Sequence, residues 1–330
     1  MGELSEGEMS LTIAYITARH EPRFDWFFQS LMLQKGVNDI VTKIIVVDQQ
    51  IWNLGEARRT KAFESTFLPG KLNASLSFTK PKPTVWSGPY RLTNKDFFDQ
   101  SNARNTAICL CKSDWIAFVD DLSVLSPTWL EAVRDAMKGG YVVCGAYQKV
   151  NKLVVENGRI VSFEDIPQGH DFRWRKGKDG TPTWYPGNHF LGCSNAAPIQ
   201  AFLDINGYPE HLTAGMGYED CVTGSMMARN GYRFRYERRM LTIEAADLHF
   251  QPPVLLRFDP GVSPYDKSHK MLEIARTQKR FENFFGHGFK DIASLRSHIL
   301  GGGKFPIRRQ PTHEWFSGMP LAEFHKYHDQ

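Results

Sequence analysis

Two short apolar runs in this 330-residue chain end in acids: Lys43-Ile-Ile-Val-Val-Asp48, and Trp115-Ile-Ala-Phe-Val119, which leads straight into Asp120 and Asp121. A run that is apolar at nearly every position, short and rich in β-branched residues, suits a strand covered on both faces. Leu11 to Ile16 has the same character. Helical patterns fall between these runs. Phe24 to Gln34 carries Phe24, Phe27, Phe28 and Leu31 at helical spacing, and Asn102 to Cys111 reads as a second helix. Ser126-Pro127 has the form of an N-cap and first-turn proline, opening a helix that ends at Gly139-Gly140. Alternating strands and helices predict an α/β fold, a mostly parallel sheet flanked by helices. Ligands of such sheets bind beyond the carboxyl ends of the strands. Asp48, Asp120 and Asp121 are therefore expected at the mouth of a site.

Composition narrows the class. A hydrophobic fraction of 42% with 13% aromatics supports a packed core and excludes a disordered chain. No run approaches the roughly 18 unbroken apolar residues of a membrane span. The acidic N-terminus is the reverse of a secretion signal, and five cysteines without a CxxC pair fit a reducing compartment. The expectation is a soluble, cytoplasmic protein. The net charge of +4 matches the excess of 12 Lys+Arg over 8 Asp+Glu from Gln251 onward, far short of a dedicated nucleic-acid binder. Tyr141 to Phe190 gives only short strand signals. Further helices are expected over Ala214–Arg229 and roughly Lys267–Phe285, before a Gly/Pro-punctuated tail.

Six blocks then appear in order: Ile13 to Pro22, Ile44 to Asp48, Ser101 to Ile108, Ala117 to Asp121, Ile205 to Glu210, and Gly217-Tyr-Glu-Asp220. In order and spacing they resemble the family 2-type inverting glycosyltransferases of the GT-A fold, over roughly Leu11 to Phe250. The resemblance implies a Rossmann-like GT-A domain over residues 1–250. Its nucleotide-sugar half spans about 10–125 and its acceptor half about 126–250, with a C-terminal helical extension over 251–330. It implies a nucleotide-sugar donor, UDP first, and a Mn²⁺ or Mg²⁺ cofactor. The acceptor is expected to be a hydroxyl compound, anionic in one reading: a glycan, a lipid-linked glycan, a protein or, as a minority reading, a modified nucleic-acid base.

The same resemblance assigns the residues. Thr17, Ala18, Arg19, Asp48, Arg104 and Asp120 are candidates for binding the nucleotide-sugar. Asp48 would accept a hydrogen bond from the base, and the planar fork of Arg104 suits phosphate oxygens or a brace on the metal-binding loop. Asp120 and Asp121 resemble the DxD element and are candidate metal ligands, because hard divalent cations prefer oxygen ligands. The resemblance adds His249, at the place of a late histidine that closes the metal site in related enzymes. Two departures stand out: Gln49 follows Asp48, and Leu122 stands where many relatives carry another Asp. Asp220 is the candidate general base and Glu219 a contact to acceptor or donor hydroxyls; acids in a first helical turn also satisfy the helix dipole. Trp184, Asn188, His189 and Asn195 are candidates for the transferred sugar and acceptor, with a core role open for Trp184. Phe172 to Lys178 reads either as a solvated turn or as a basic surface for an anionic acceptor. Arg233, Arg235, Arg238 and Arg239 read as mostly solvated. A sugar nucleotidyltransferase is disfavoured because Thr17 to Pro22 lacks the glycines of a phosphate loop. A catalytically silent binding protein stays open on Leu122 and Gln49.

Overall fold

In the computed structural model, residues 9–66, 72–84, 87–89, 96–175, 183–210, 218–249, 273, 276–283, 285 and 288–306 are described. Helices are α1 (Phe24–Met32), α2 (Val37–Ile40), α3 (Gln50–Leu54), α4 (Glu56–Glu64), α5 (Gln100–Leu110), α6 (Trp129–Gly139), α7 (Ile199–Asp204), α8 (Glu219–Arg229), α9 (Ala246–His249) and α10 (Ile292–Leu300). Strands are β1 (Leu11–Thr17), β2 (Val41–Asp48), β3 (Ser75–Thr79), β4 (Trp115–Asp120), β5 (Ser123–Leu125), β6 (Val142–Glu156), β7 (Arg159–His170), β8 (Thr183–Trp184), β9 (Ser194–Pro198) and β10 (Phe234–Ala245). All ten strands among the described residues join one sheet, ordered β3-β2-β1-β4-β9-β6-β10-β5, with β7 on β6 and β8 on β10.

The half of the sheet made by β3-β2-β1-β4 is wholly parallel, as the alternating pattern predicts. The second half is mixed. β9 runs antiparallel between β4 and β6, while β10 lies parallel to β6. The consequence is geometric: β1, β2, β4, β6 and β10 all point the same way, so their carboxyl ends share one edge.

Side chains alternate across the sheet. On β1, Leu11, Ile13 and Tyr15 pack with Phe27 and Phe28 of α1 and Trp129 of α6. Ala14 and Ile16 face the other core, with Ala103 and Ala107 of α5, Phe202 of α7 and Met226 of α8. Both faces are therefore dry, each large buried side chain contributing roughly 1.5–3 kcal/mol. The C-terminal segment belongs to the second core: Phe281, Phe285, Ile292 and Leu295 are buried in it.

Several local expectations are corrected. Ser126 does not cap α6; its hydroxyl donates to the Arg239 carbonyl, and Thr128 stands at the N-cap. The weak strand signals after Tyr141 become a long hairpin, β6 and β7, turning at Asn157-Gly158 with both residues at positive φ (51° and 76°). Asn-Gly is the pair such a turn favours. Of the helix expected over 267–285, residues 267–272, 274, 275 and 284 lie outside the described residues, and 278–283 is not helical. The helix expected from Ala214 begins instead at Glu219, with Tyr218 as its N-cap; residues 214–217 lie outside the described residues.

Candidate active site

The shared carboxyl edge encloses a cavity of about 320 Å³ lined by Ala18, Arg19, Arg104, Asp120, Asp121, Lys149, Glu219, Asp220, Glu244 and His249 among others. Acids a hundred residues apart thus meet in one space, because β1, β4 and β10 end there and α8 begins there.

Arg104, near the start of α5, joins the two acid pairs. Asp99 caps this helix by accepting the Asn102 N–H (3.0 Å). One guanidinium nitrogen of Arg104 lies 2.6 Å from Glu219 Oε1 and the other 3.4 Å from Asp120 Oδ1. Of the two uses foreseen for it, its fork here braces the acid loops. Gly192 makes this contact feasible, since a Cβ at that position would run into Arg104 Nη2. Burial pushes the Glu219 carboxyl up to about 7, with the Asp220 charge adding to the shift and Arg104 opposing it. The side chain is 5% exposed, which leaves it little contact with acceptor or donor hydroxyls.

Asp220 is oriented by backbone amides: Oδ2 accepts the Gly192 N–H (2.8 Å) and Oδ1 the Cys221 N–H (2.7 Å). It also lines an adjoining cleft of about 480 Å³ with Phe172, Asn188, His189, Leu191, Tyr218 and Cys221. Tyr218, just before α8, sits at φ 76°, a left-handed conformation uncommon for a non-glycine residue. Phe172 is 62% exposed, and its ring lies edge-on to His189 at 5.0 Å. Asn188 and His189 are thus beside Asp220. Trp184 is not. It lies at the amino-terminal end of β10, where Arg233 and Arg235 stack on its indole at 5.0 and 4.1 Å. Asn195 is fully buried on β9 and donates to the Leu191 carbonyl, so it supports the loop instead of facing the cavity. Two basic readings change as well: Arg233 and Arg235 stack on Trp184, Arg238 stacks on Trp174 and Arg239 pairs with Glu131, Asp135 and Glu237, while Arg173 is a buried brace on Asp171 and the carbonyls of Gly145 and His189. The rest of that loop, 176–178, lies outside the described residues.

Asp48 is also withdrawn from the cavity. It is 0% exposed; Oδ2 pairs with Arg59 Nε (2.7 Å) and Oδ1 accepts the Gln50 N–H (2.8 Å). A second Asp in place of Gln49 would add another charge to this buried corner. Thr17, equally buried, donates its hydroxyl to Asp121 Oδ2 (2.7 Å).

The candidate cation ligands do not form a ready site. Asp121 is occupied on both oxygens, by Thr17 and by Arg19 Nε at 2.8 Å. His249 Nδ1 lies 3.2 Å from Arg19 Nη2. Leu122 is buried at φ 60° among Trp26, Val124, Val150 and Leu153. Among the described residues no three His, Cys, Asp or Glu side chains converge to hold an ion. Burial, with Lys149 and Arg19, brings His249 down to about 4.

Sequence reasoning missed Tyr147, Lys149 and Glu244. Lys149 and Glu244 are register partners on β6 and β10. Burial pushes Glu244 up to about 8; Lys149 opposes the shift, Asp120 and Asp121 add to it, and Oε1 has no hydrogen-bond partner. The i, i+2 spacing of Tyr147 and Lys149 was the available signal, once the segment is read as a strand.

This sheet, with its acids gathered at one edge, can be set beside known proteins. Residues 90–202 match the model of Glycosyl transferase family 2. The matched segment holds α5, β4 and β9, hence Arg104, Asp120, Asp121 and Asn195, and is about a third of the chain. Residues 1–349 of TarS from S. aureus, solved with UDP and with UDP-GlcNAc, share the fold at TM-score 0.52 and 14% identity. Each alignment covers 81% of this chain and 65% of that one, so the chain spans about two-thirds of that structure's length. A mannosyltransferase from Pyrobaculum calidifontis, in complex with GDP-Man and Mn²⁺, aligns at TM-score 0.46 and 17% identity over 72% of this chain and 57% of that one. Among curated proteins, none matches this chain. The GT-A fold expected from the six blocks is the fold observed.

Proposed function

We propose that this chain transfers a sugar from a nucleoside diphosphate donor, UDP-linked in the first instance, to a hydroxyl acceptor with inversion. The observation that carries this reading is the position of Asp220, whose carboxylate lines both the strand-end cavity and the adjoining aromatic cleft. A donor lying beneath Ala18, Arg19 and Asp120 exposes its anomeric carbon toward Asp220. An acceptor in the cleft rests on Phe172 and Tyr218, whose faces suit sugar C–H groups.

Chemically, the acceptor oxygen forms a bond to the anomeric carbon as the bond to the β-phosphate oxygen breaks. That electron pair leaves with the nucleoside diphosphate, and the acceptor proton passes to Asp220. Its two backbone hydrogen bonds fix the carboxylate before the substrate arrives, which is how positioned groups lower a barrier without reorganisation. Arg104 keeps the acid loops in register but touches neither reacting atom. We read no step through a divalent cation, because Asp121 and His249 are already engaged by Arg19.

UDP-sugar hydrolysis by the wild-type chain and by Asp220→Asn tests this reading. The variant should lose about 10²–10⁴-fold in rate while UDP binding persists. A rate within tenfold of wild type would remove Asp220 as the base.

A further inference from the structure

Building on the donor-site reading above, we propose that Arg19 stands in for the divalent cation: its guanidinium, fixed between Asp121 and His249, is a built-in positive charge for the donor diphosphate, and nucleotide binding needs no added metal ion.

The placement of Arg19 is the first support. Its Nε donates to Asp121 Oδ1 at 2.8 Å, Nη2 lies 3.2 Å from His249 Nδ1, and Nη1 donates to the carbonyls of Leu248 (3.4 Å) and His249. One organic cation thus already joins the two side chains best suited to clamp an inorganic one. The clamp is built from the strand end itself. Thr17 accepts the Arg19 backbone N–H (3.1 Å) and donates to the second oxygen of Asp121 (2.7 Å), so each oxygen of that carboxylate already accepts a hydrogen bond.

A second, independent support lies one residue on. Leu122 turns back into an apolar cluster with Trp26, Val124, Val150 and Ala245, and cannot ligate. Its amide donates to the Pro22 carbonyl and its carbonyl accepts the Ala245 N–H, so neither is free to turn toward the cavity. The position that would strengthen a cation site has been given to the core.

Arg19 also has the chemistry. Guanidinium is charged at every relevant pH, and its five N–H donors lie in a rigid plane matched to phosphate oxygens. The four contacts named leave one Nη2 N–H for a ligand. Lys149 supplies a second cation in the same cavity, and among the described residues no ion pair includes it. The pairing of Arg19 with Asp121 cancels part of its charge, which makes Lys149 a necessary companion. A fixed cation of this kind needs no reorganisation when the leaving diphosphate gains charge.

The test is calorimetric titration of the full chain with UDP and with GDP, in EDTA and in Mn²⁺. The expected result is a Kd that differs less than tenfold between the two conditions. Arg19→Ala should raise Kd at least tenfold, and Mn²⁺ should not restore it. Arg19→Lys keeps the charge and tests the point should the alanine variant fold poorly; its Kd should lie between the two. Binding that strengthens tenfold or more with Mn²⁺ overturns the proposal and leaves the transferase reading standing. Failure of both nucleotides to bind in either condition overturns the transferase reading and this inference with it.

Discussion

Arg104 and Glu219 lie 115 positions apart in the chain and meet at 2.6 Å, with both side chains almost wholly buried. Because Arg104 also reaches Asp120, the contact ties the start of α8 to the end of β4.

Removing one partner of a buried pair strands the other charge, at a cost of about 3–5 kcal/mol. Arg104→Ala is therefore expected to lower thermal stability sharply. Gly192→Ala should give a milder version, because the added methyl meets Arg104 Nη2 and pushes the guanidinium off Asp120. Thermal melts of the two variants check the order. Equal stability of Gly192→Ala and wild type would mean that the bridge contributes little.

The Asp48–Arg59 pair is a structural element. Asp48→Asn should cost about 3–5 kcal/mol in denaturant unfolding. UDP affinity, measured where the variant remains folded, should stay within about threefold of wild type. A tenfold weaker affinity would return Asp48 to base recognition.

Stability should fall as pH rises. The Glu244 carboxyl titrates near 8 in the folded chain against an ordinary value of 4.5. Between those values the unfolded chain releases the proton and the folded chain keeps it, so higher pH favours unfolding. Glu219, raised to about 7, acts in the same direction over the lower part of that window. Glu244→Gln cannot titrate; its Tm should decline less from pH 5 to pH 8 and exceed that of wild type by a few degrees at pH 8. Parallel pH profiles would show that Glu244 is not the group responsible.

Acceptor recognition should divide along the chain. Phe172→Ala, in the cleft beside Asp220, is expected to raise acceptor KM several-fold with donor affinity unchanged. Trp184→Ala, at the far end of β10, should leave both constants within about twofold of wild type. The reverse pattern would relocate the acceptor to the arginine-stacked face.

What the sequence by itself determined is local. Apolar runs at Leu11, Lys43 and Trp115 have only one economical fate, a strand buried on both faces, and acids at their ends must then sit at the sheet's edge. That much placed Asp120 and Asp121 at the sheet's edge, whereas Asp220, in the first turn of a helix, became a candidate only through the resemblance carried by the six blocks. The tertiary structure decided what each acid does. Asp48 and Asp120 follow equivalent strands, yet Arg59 from α4 captures the first, while the second keeps a side chain 39% exposed. Lys149 and Glu244 enter the site only because β6 and β10 lie parallel in a particular register. Pairings of this kind depend on which segments pack side by side, and a short-range pattern carries no record of partners a hundred residues away.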